Sequence, residues 1–128
     1  MAETKKKILV VEDEAVLLEL YTVTLRGNGY EVMTAEDGDK ALEVLKDNTF
    51  DLILLDIMLP GKDGLEVLKT IKEDPTYEHQ SPSTIMMLTN LNQDQVISQA
   101  ILAGARGYLV KSDYNPDQFL EAVKTTFS

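Results

Sequence analysis

Five short apolar runs punctuate the chain, and a stretch with helical spacing follows each. Ile8-Leu9-Val10-Val11 is the first run and ends on Glu12-Asp13-Glu14. From Ala15 to about Arg26 an apolar stripe falls at Leu17, Leu20, Tyr21, Thr24 and Leu25, and Gly27-Asn28-Gly29 stops that helix. Glu31 to Ala35, containing Val32 and Met33, reads as the second strand. Asp37-Gly38 turns the chain, and Ala41, Leu42, Val44 and Leu45 mark a second amphipathic helix. Leu52-Ile53-Leu54-Leu55 is unbroken, the pattern of a strand buried on both faces, and it ends abruptly on the carboxylate Asp56. Pro60-Gly61 forces a turn there, and Asp63 and Gly64 open a helix carrying Leu65, Val67, Leu68 and Ile71. Thr84 to Leu88 is the fourth strand, ending at Thr89, and Asn92 to about Leu102 is the fourth helix. Gly104-Ala105-Arg106-Gly107 breaks the chain before the fifth strand, Tyr108-Leu109-Val110, which ends at Lys111. Asn115 is placed to cap the last helix, with Pro116 at its first position and Phe119, Leu120, Val123 and Phe127 as its apolar stripe.

This strict β-α alternation predicts an α/β fold: a doubly wound parallel sheet of five strands with five helices on its faces and right-handed crossovers. The strand order 2-1-3-4-5 fits, and its switch point brings Glu12 and Asp13 beside Asp56 at the carboxyl ends of the strands. The polar connection from Glu73 to Ser83, with Pro75 and Pro82, reads as a surface loop and the most mobile segment. His79, the only histidine, lies in it and reads as solvated, without a ligand role.

Composition narrows the function classes. The chain has 128 residues, the size of one domain, and a formal net charge of −10. A surface this acidic repels nucleic acid, and Lys5 to Lys7 are too few and too terminal to reverse that. They read as a solvated lead-in to the first strand. Cysteine is absent, which removes disulfides, thiolate metal sites and cysteine nucleophiles and fits a cytoplasmic protein. No apolar stretch approaches the ~20 residues of a membrane span, and the charged N-terminus does not read as a signal peptide.

The chemistry gathers at the strand ends. Glu12, Asp13 and Asp56 at one point repel one another, and such a cluster is costly unless a cation fills it. Carboxylates with backbone carbonyls are hard oxygen ligands, suited to Mg²⁺, with Mn²⁺ as an alternative of like preference. Lys111 adds a point charge for an anion and Thr89 a hydroxyl. Together they form a site for a phosphoryl group, with Asp56 as the nucleophile that takes it as an acyl phosphate. No G-x-x-x-x-G-K-[ST] loop and no G-x-G-x-x-G fingerprint is present, which argues against a nucleotide-binding protein. Aspartyl phosphatases of the haloacid-dehalogenase type carry a second aspartate two residues after the nucleophile; here that position is Met58, which transfers no proton. The acyl phosphate would persist, as suits a switch. A Mg²⁺-dependent phosphatase and a phosphorylation-independent interaction domain are the competing readings.

From about Lys6 to Phe127 these residues resemble the receiver domain of two-component response regulators. The resemblance implies a flavodoxin-like fold, with Asp56 as phosphoacceptor. It implies Asp13 as a direct Mg²⁺ ligand beside Asp56, Glu12 as a ligand through water, and the backbone carbonyl of Met58 as another. Thr89 is similar to the hydroxyl that moves to meet the phosphoryl oxygen, Lys111 to the lysine that pairs with it, and Tyr108 to the aromatic that then turns inward. Pro60 and Gly64 resemble the residues that shape the loop beside the phosphate. The implied partners are a sensor histidine kinase or phosphotransfer protein as donor, and a downstream protein or effector domain that reads the surface of helix four, strand five and helix five. The chain is expected to be a single receiver domain without an output domain of its own, acting as a monomer or as a dimer formed on phosphorylation. Two positions depart from the pattern. Asn90 stands where a small residue is usual and is expected to cover part of the site and alter rates of phosphorylation or hydrolysis. Ser112 stands where proline is usual, often after a cis bond; a cis non-proline bond costs about 3–4 kcal/mol, so the loop after Lys111 is either trans and differently shaped or strained.

Overall fold

In the central strands successive side chains go to opposite faces of one sheet and are buried on both, which fixes the layering. A computed structural model describes residues 5–90, 94–111 and 115–127. The elements run β1 (Lys7–Val11), α1 (Ala15–Arg26), β2 (Glu31–Ala35), α2 (Gly38–Asp47), β3 (Leu52–Asp56), α3 (Gly64–Glu73), a 3-10 helix (Pro75–Gln80), β4 (Thr84–Thr89), α4 (Asp94–Leu102), β5 (Gly107–Val110) and α5 (Pro116–Thr126). The sheet order is β2-β1-β3-β4-β5 and every pairing is parallel, as the alternation predicts. No helix among the described residues is long and apolar enough to cross a membrane.

The two faces carry separate cores. Leu9, Val11, Ile53 and Leu55 face α2, α3 and α4 through Ala41, Leu45, Val67, Leu68 and Ala100. Ile8, Val10, Leu52 and Leu54 face α1 and α5 through Tyr21, Leu25, Phe119 and Val123. Every residue of β3 is buried, including the terminal Asp56. α5 starts where the sequence places it: Asn115 caps it, and the side chains of Asn115 and Gln118 each accept from the other's backbone N–H in a capping box. At the Asp56 end of β3, Gly64 is required by contact. A Cβ there would lie 2.1 Å from the Asp56 carbonyl oxygen, so only glycine lets α3 start against the strand end.

Two expectations are corrected. Of the α1 stripe 17-20-21-24-25, Tyr21 and Leu25 are buried and Leu17 packs on the core, but Leu20, 40% exposed, is not part of the buried line and Thr22 is. Leu18 packs beside these residues. The line 18-21-22-25 includes a threonine because its hydroxyl donates to the Leu18 carbonyl at 2.6 Å, which satisfies the polar group inside the helix. The segment 73–83 lies at the surface as expected, but it contains an ordered 3-10 helix with buried side chains rather than a loop. Asp74 caps the 3-10 helix by accepting from the Thr76 N–H, and Tyr77, Gln80 and Ser83 are buried. The Gln80 amide donates to Leu45 O at 2.9 Å and also to Asn48 O. Ser83 Oγ lies 2.6 Å from Phe50 O and 2.9 Å from Gln80 Oε1. His79 is exposed at the surface, yet its Nε2 lies 2.7 Å from Leu45 O. This polar staple supplies partners for carbonyls that the end of α2 leaves open. Asn92 and Ser112 lie outside the described residues, and with Ser112 the geometry of the bond after Lys111.

Replacing Gln80 by Ala leaves the Asn48 carbonyl and Ser83 without their amide partner in a buried place. Urea unfolding should show a loss of about 2 kcal/mol. A loss under ~0.5 kcal/mol is what a solvated loop would give and would contradict the staple.

Candidate functional site

The site forms where β1, β3 and β5 end. Glu12 follows β1, and its N–H donates to Ala35 O at 3.1 Å, extending the ladder to β2 by one residue. That fixes Glu12 inward, fully buried, while Asp13 beside it is exposed. Asp56 ends β3 and is 1% exposed. One carboxylate oxygen each from Glu12, Asp13 and Asp56 lie within 4.8 Å of one another. Lys111 follows β5 and reaches across β4, its Nζ 2.7 Å from Glu12 Oε2 and 2.7 Å from Asp56 Oδ2. The remaining oxygens are held by backbone. Glu14 N–H donates to Glu12 Oε1 at 3.1 Å, and Met58 N–H donates to Asp56 Oδ1 at 3.0 Å.

Electrostatics at this point are unbalanced. Burial pushes the Glu12 carboxyl up to about 7; the adjacent Lys111 ammonium opposes this and the Asp56 charge adds to it. Burial works against the Lys111 ammonium, but its hydrogen bond to Asp56 and its close pairing with the Glu12 carboxylate outweigh burial and raise its pKa. With all groups ionised, three carboxylates and one ammonium sum to −2. Glu12 Oε2 has no well-aligned hydrogen-bond donor, so its contact with Lys111 is an ion pair by proximity only. Charge balance, hard oxygen donors and an under-coordinated buried oxygen all fit a divalent cation.

The other residues singled out from the sequence fall as follows. Thr89 is fully buried at the end of β4, one residue beyond Leu88, the register partner of Asp56. Its Oγ1 donates to Asn90 O at 2.8 Å. Asn90 is exposed. Tyr108, opposite Met87 on β5, is 47% exposed and turned out to solvent. Met58 is 59% exposed at the rim. One neighbour was not singled out. Tyr21 stacks on Phe119 with ring centroids 4.4 Å apart, and its phenol is pushed up to about 12 by burial, with the Glu12 charge next in size. It borders the buried side of the site. In the sequence it is only one more apolar position of α1, and no spacing marks it.

Comparison with known proteins agrees with this geometry. The family model for the response regulator receiver domain matches residues 8–124. The chain is similar to the DNA-binding response regulator MtrA of Mycobacterium tuberculosis, with 33% identity over 97% of this chain and 51% of that protein. It thus spans about half the length of such curated relatives. The chemotaxis protein CheY of Bacillus subtilis is 34% identical over 95% of this chain and 98% of its own length. The solved structure of chemotaxis response regulator CheY4 of Vibrio cholerae superposes with a TM-score of 0.84 at 32% identity, covering 95% of this chain and 98% of that one.

Glu12 gives a pH dependence of definite sign. Its ordinary value is 4.5 and its folded value about 7, so the folded state binds this proton more tightly. The resulting stabilisation is fully present below about 4.5 and is lost as pH rises through about 7. In metal-free buffer the unfolding free energy of the chain should therefore fall, relative to that of Glu12→Gln, across this interval. A difference that stays flat with pH would mean that Glu12 is ionised throughout.

Proposed function

The chain belongs to the response regulator receiver family, signalling switches rather than catalytic enzymes, and on that premise we propose that Asp56 accepts a phosphoryl group from a histidine kinase or phosphotransfer protein. The observation that carries this is the meeting of Lys111, Glu12 and Asp56 at 2.7 Å contacts beside Asp13. An Asp56 carboxylate oxygen attacks phosphorus in line, the bond to the donor imidazole breaks, and the imidazole nitrogen keeps the electron pair. Lys111 moves from bridging two carboxylates to pairing with the phosphoryl oxygens. Asp13 and Asp56 would hold Mg²⁺, or Mn²⁺, with the Met58 carbonyl, and Glu12 through water. A cation held there would supply positive charge against the transferring group.

The output follows from the same contacts. The Thr89 hydroxyl, now donating to Asn90 O, turns to a phosphoryl oxygen, and Tyr108 leaves its exposed position for the space vacated. This biases the surface of α4, β5 and α5. Its chemistry suits a protein partner: Ile101, Leu102 and Tyr108 are exposed, and a groove of about 740 Å³ between β5 and α5 is lined by Met86, Arg106, Leu109, Gln118 and Ala122 among others. A downstream protein, an effector domain or a second phosphorylated copy would dock there. Asn90, exposed beside Thr89, tunes the rates.

Incubation with Mg²⁺ and a small acyl phosphate should add one phosphate to the intact mass, and Asp56→Ala should take none. An adduct retained in Asp56→Ala overturns the assignment, and sustained hydrolysis of a phosphomonoester would favour a phosphatase instead. Asn90→Ala should gain or lose phosphate at a rate about threefold different from the parent, within what one altered polar contact supplies. Equal rates remove Asn90 from the account.

A further inference from the structure

Met58 is the one methionine among the described residues that solvent reaches freely. It is 59% exposed, Met87 is fully buried, and Met33 and Met86 pack half-buried against the two cores. Its neighbours Ile57 and Leu59 are only 3% and 9% exposed. The chain thus alternates inward, outward, inward, and sends the thioether out over the end of β3. The same residue holds Asp56 Oδ1 through its N–H at 3.0 Å. A soft, oxidisable sulfur therefore stands at the open side of a site whose other groups are hard oxygens and an ammonium.

We propose that Met58 is an oxidation site, and that its sulfoxide shortens the life of a phosphoryl group on Asp56. This rests on Asp56 being the phosphoacceptor. The oxidant is a hydroperoxide, hydrogen peroxide being the simplest. The sulfur lone pair attacks one peroxide oxygen; an S–O bond forms, the O–O bond breaks, and the second oxygen leaves as water after proton transfer. Sulfur loses two electrons and the peroxide gains them. The product is a polar group with a strong acceptor oxygen where an apolar one stood, and sulfoxide reductases can return it to the thioether. Because the side chain is solvated, no core packing is lost, unlike at Met87. An acyl phosphate is lost to water. A thioether is a poor acceptor and holds none in place, whereas the sulfoxide oxygen accepts a hydrogen bond from a water at the rim. One hydrogen bond of ordinary net strength corresponds to about a fivefold change in rate.

The test uses the full chain, with and without hydrogen peroxide treatment. Peptide mass mapping locates the added oxygen. Both samples are then phosphorylated with a small acyl phosphate and Mg²⁺, the donor is removed, and loss of phosphate is followed by intact mass. Met58 should gain oxygen before Met33, Met86 and Met87, and the treated chain should lose phosphate about fivefold faster. Methionine sulfoxide reductase should restore the slower rate, and in Met58→Leu peroxide should change nothing relative to that variant's own untreated form. Earlier oxidation of Met33, Met86 or Met87, equal lifetimes, or a rate change that persists in Met58→Leu each overturns the proposal. Equal lifetimes on a phosphorylated chain overturn it alone. An untreated chain that takes no phosphate overturns the Asp56 assignment and this inference with it.

Discussion

One ammonium group holds the functional end of this molecule together. Lys111 Nζ touches Glu12 and Asp56 at 2.7 Å each, and its side chain is only 8% exposed. Both carboxylates are buried, and breaking such a pair from one side leaves an uncompensated charge that costs about 3–5 kcal/mol. The topology is what makes the contact available. β1 and β3 are neighbours, so Glu12 and Asp56 end side by side, but β5 lies one strand further out, beyond β4. Only a long, flexible stem carries a compact charge across that gap, which is the particular reach of lysine. The Gly64 contact beneath Asp56 and the Glu12 N–H bond to Ala35 then fix the two acids that the lysine must meet.

The same arrangement is incomplete by charge. Lys111 offers one positive charge to three carboxylates, and Glu12, driven up to about 7 chiefly by its burial, is pushed the same way by the Asp56 charge. A site at electrostatic balance would have no use for further ions. This one is short of positive charge by about the amount that a divalent cation supplies. Stability given up at the strand ends is recovered in the two apolar cores, where every residue of β1 from Ile8 to Val11 is fully buried.

How far the sequence could be read depended on which forces were periodic. A strand buried on both faces must stop where polar residues begin, so Leu52 to Leu55 located Asp56, and the alternation of elements located its neighbours. Apolar spacing also marked β2 at Glu31–Ala35, and the Asn115-Pro116 pair marked the cap of α5. Hydrogen-bond satisfaction has no period. Nothing in the spacing of Gln80 and Ser83 says that their side chains will close the end of α2, and a polar stretch with two prolines therefore reads as loop. Thr22 is buried for the same local reason, a bond to the carbonyl one turn back. The position of Tyr108 is of another kind. The sequence places it on β5, but its 47% exposure depends on how far β4 and the neighbouring helices cover it, which spacing does not specify.

Met58 and Asn90 show how such a site can be tuned without being rebuilt. Each presents its backbone inward and its side chain outward. The Met58 N–H holds Asp56 Oδ1, and the Asn90 carbonyl accepts from Thr89, while both residues are exposed. Backbone groups are supplied by any residue, so these contacts survive a change of side chain. The exposed side chains, by contrast, stand at the rim of a site whose carboxylate is buried. Geometry is therefore carried by the buried contacts of Lys111, Glu12 and Asp56, and the exposed side chains at the rim can change without breaking them. A switch whose lifetime has to differ from one circumstance to another needs that separation, and the alternation of buried and exposed residues across 57 to 59 provides it.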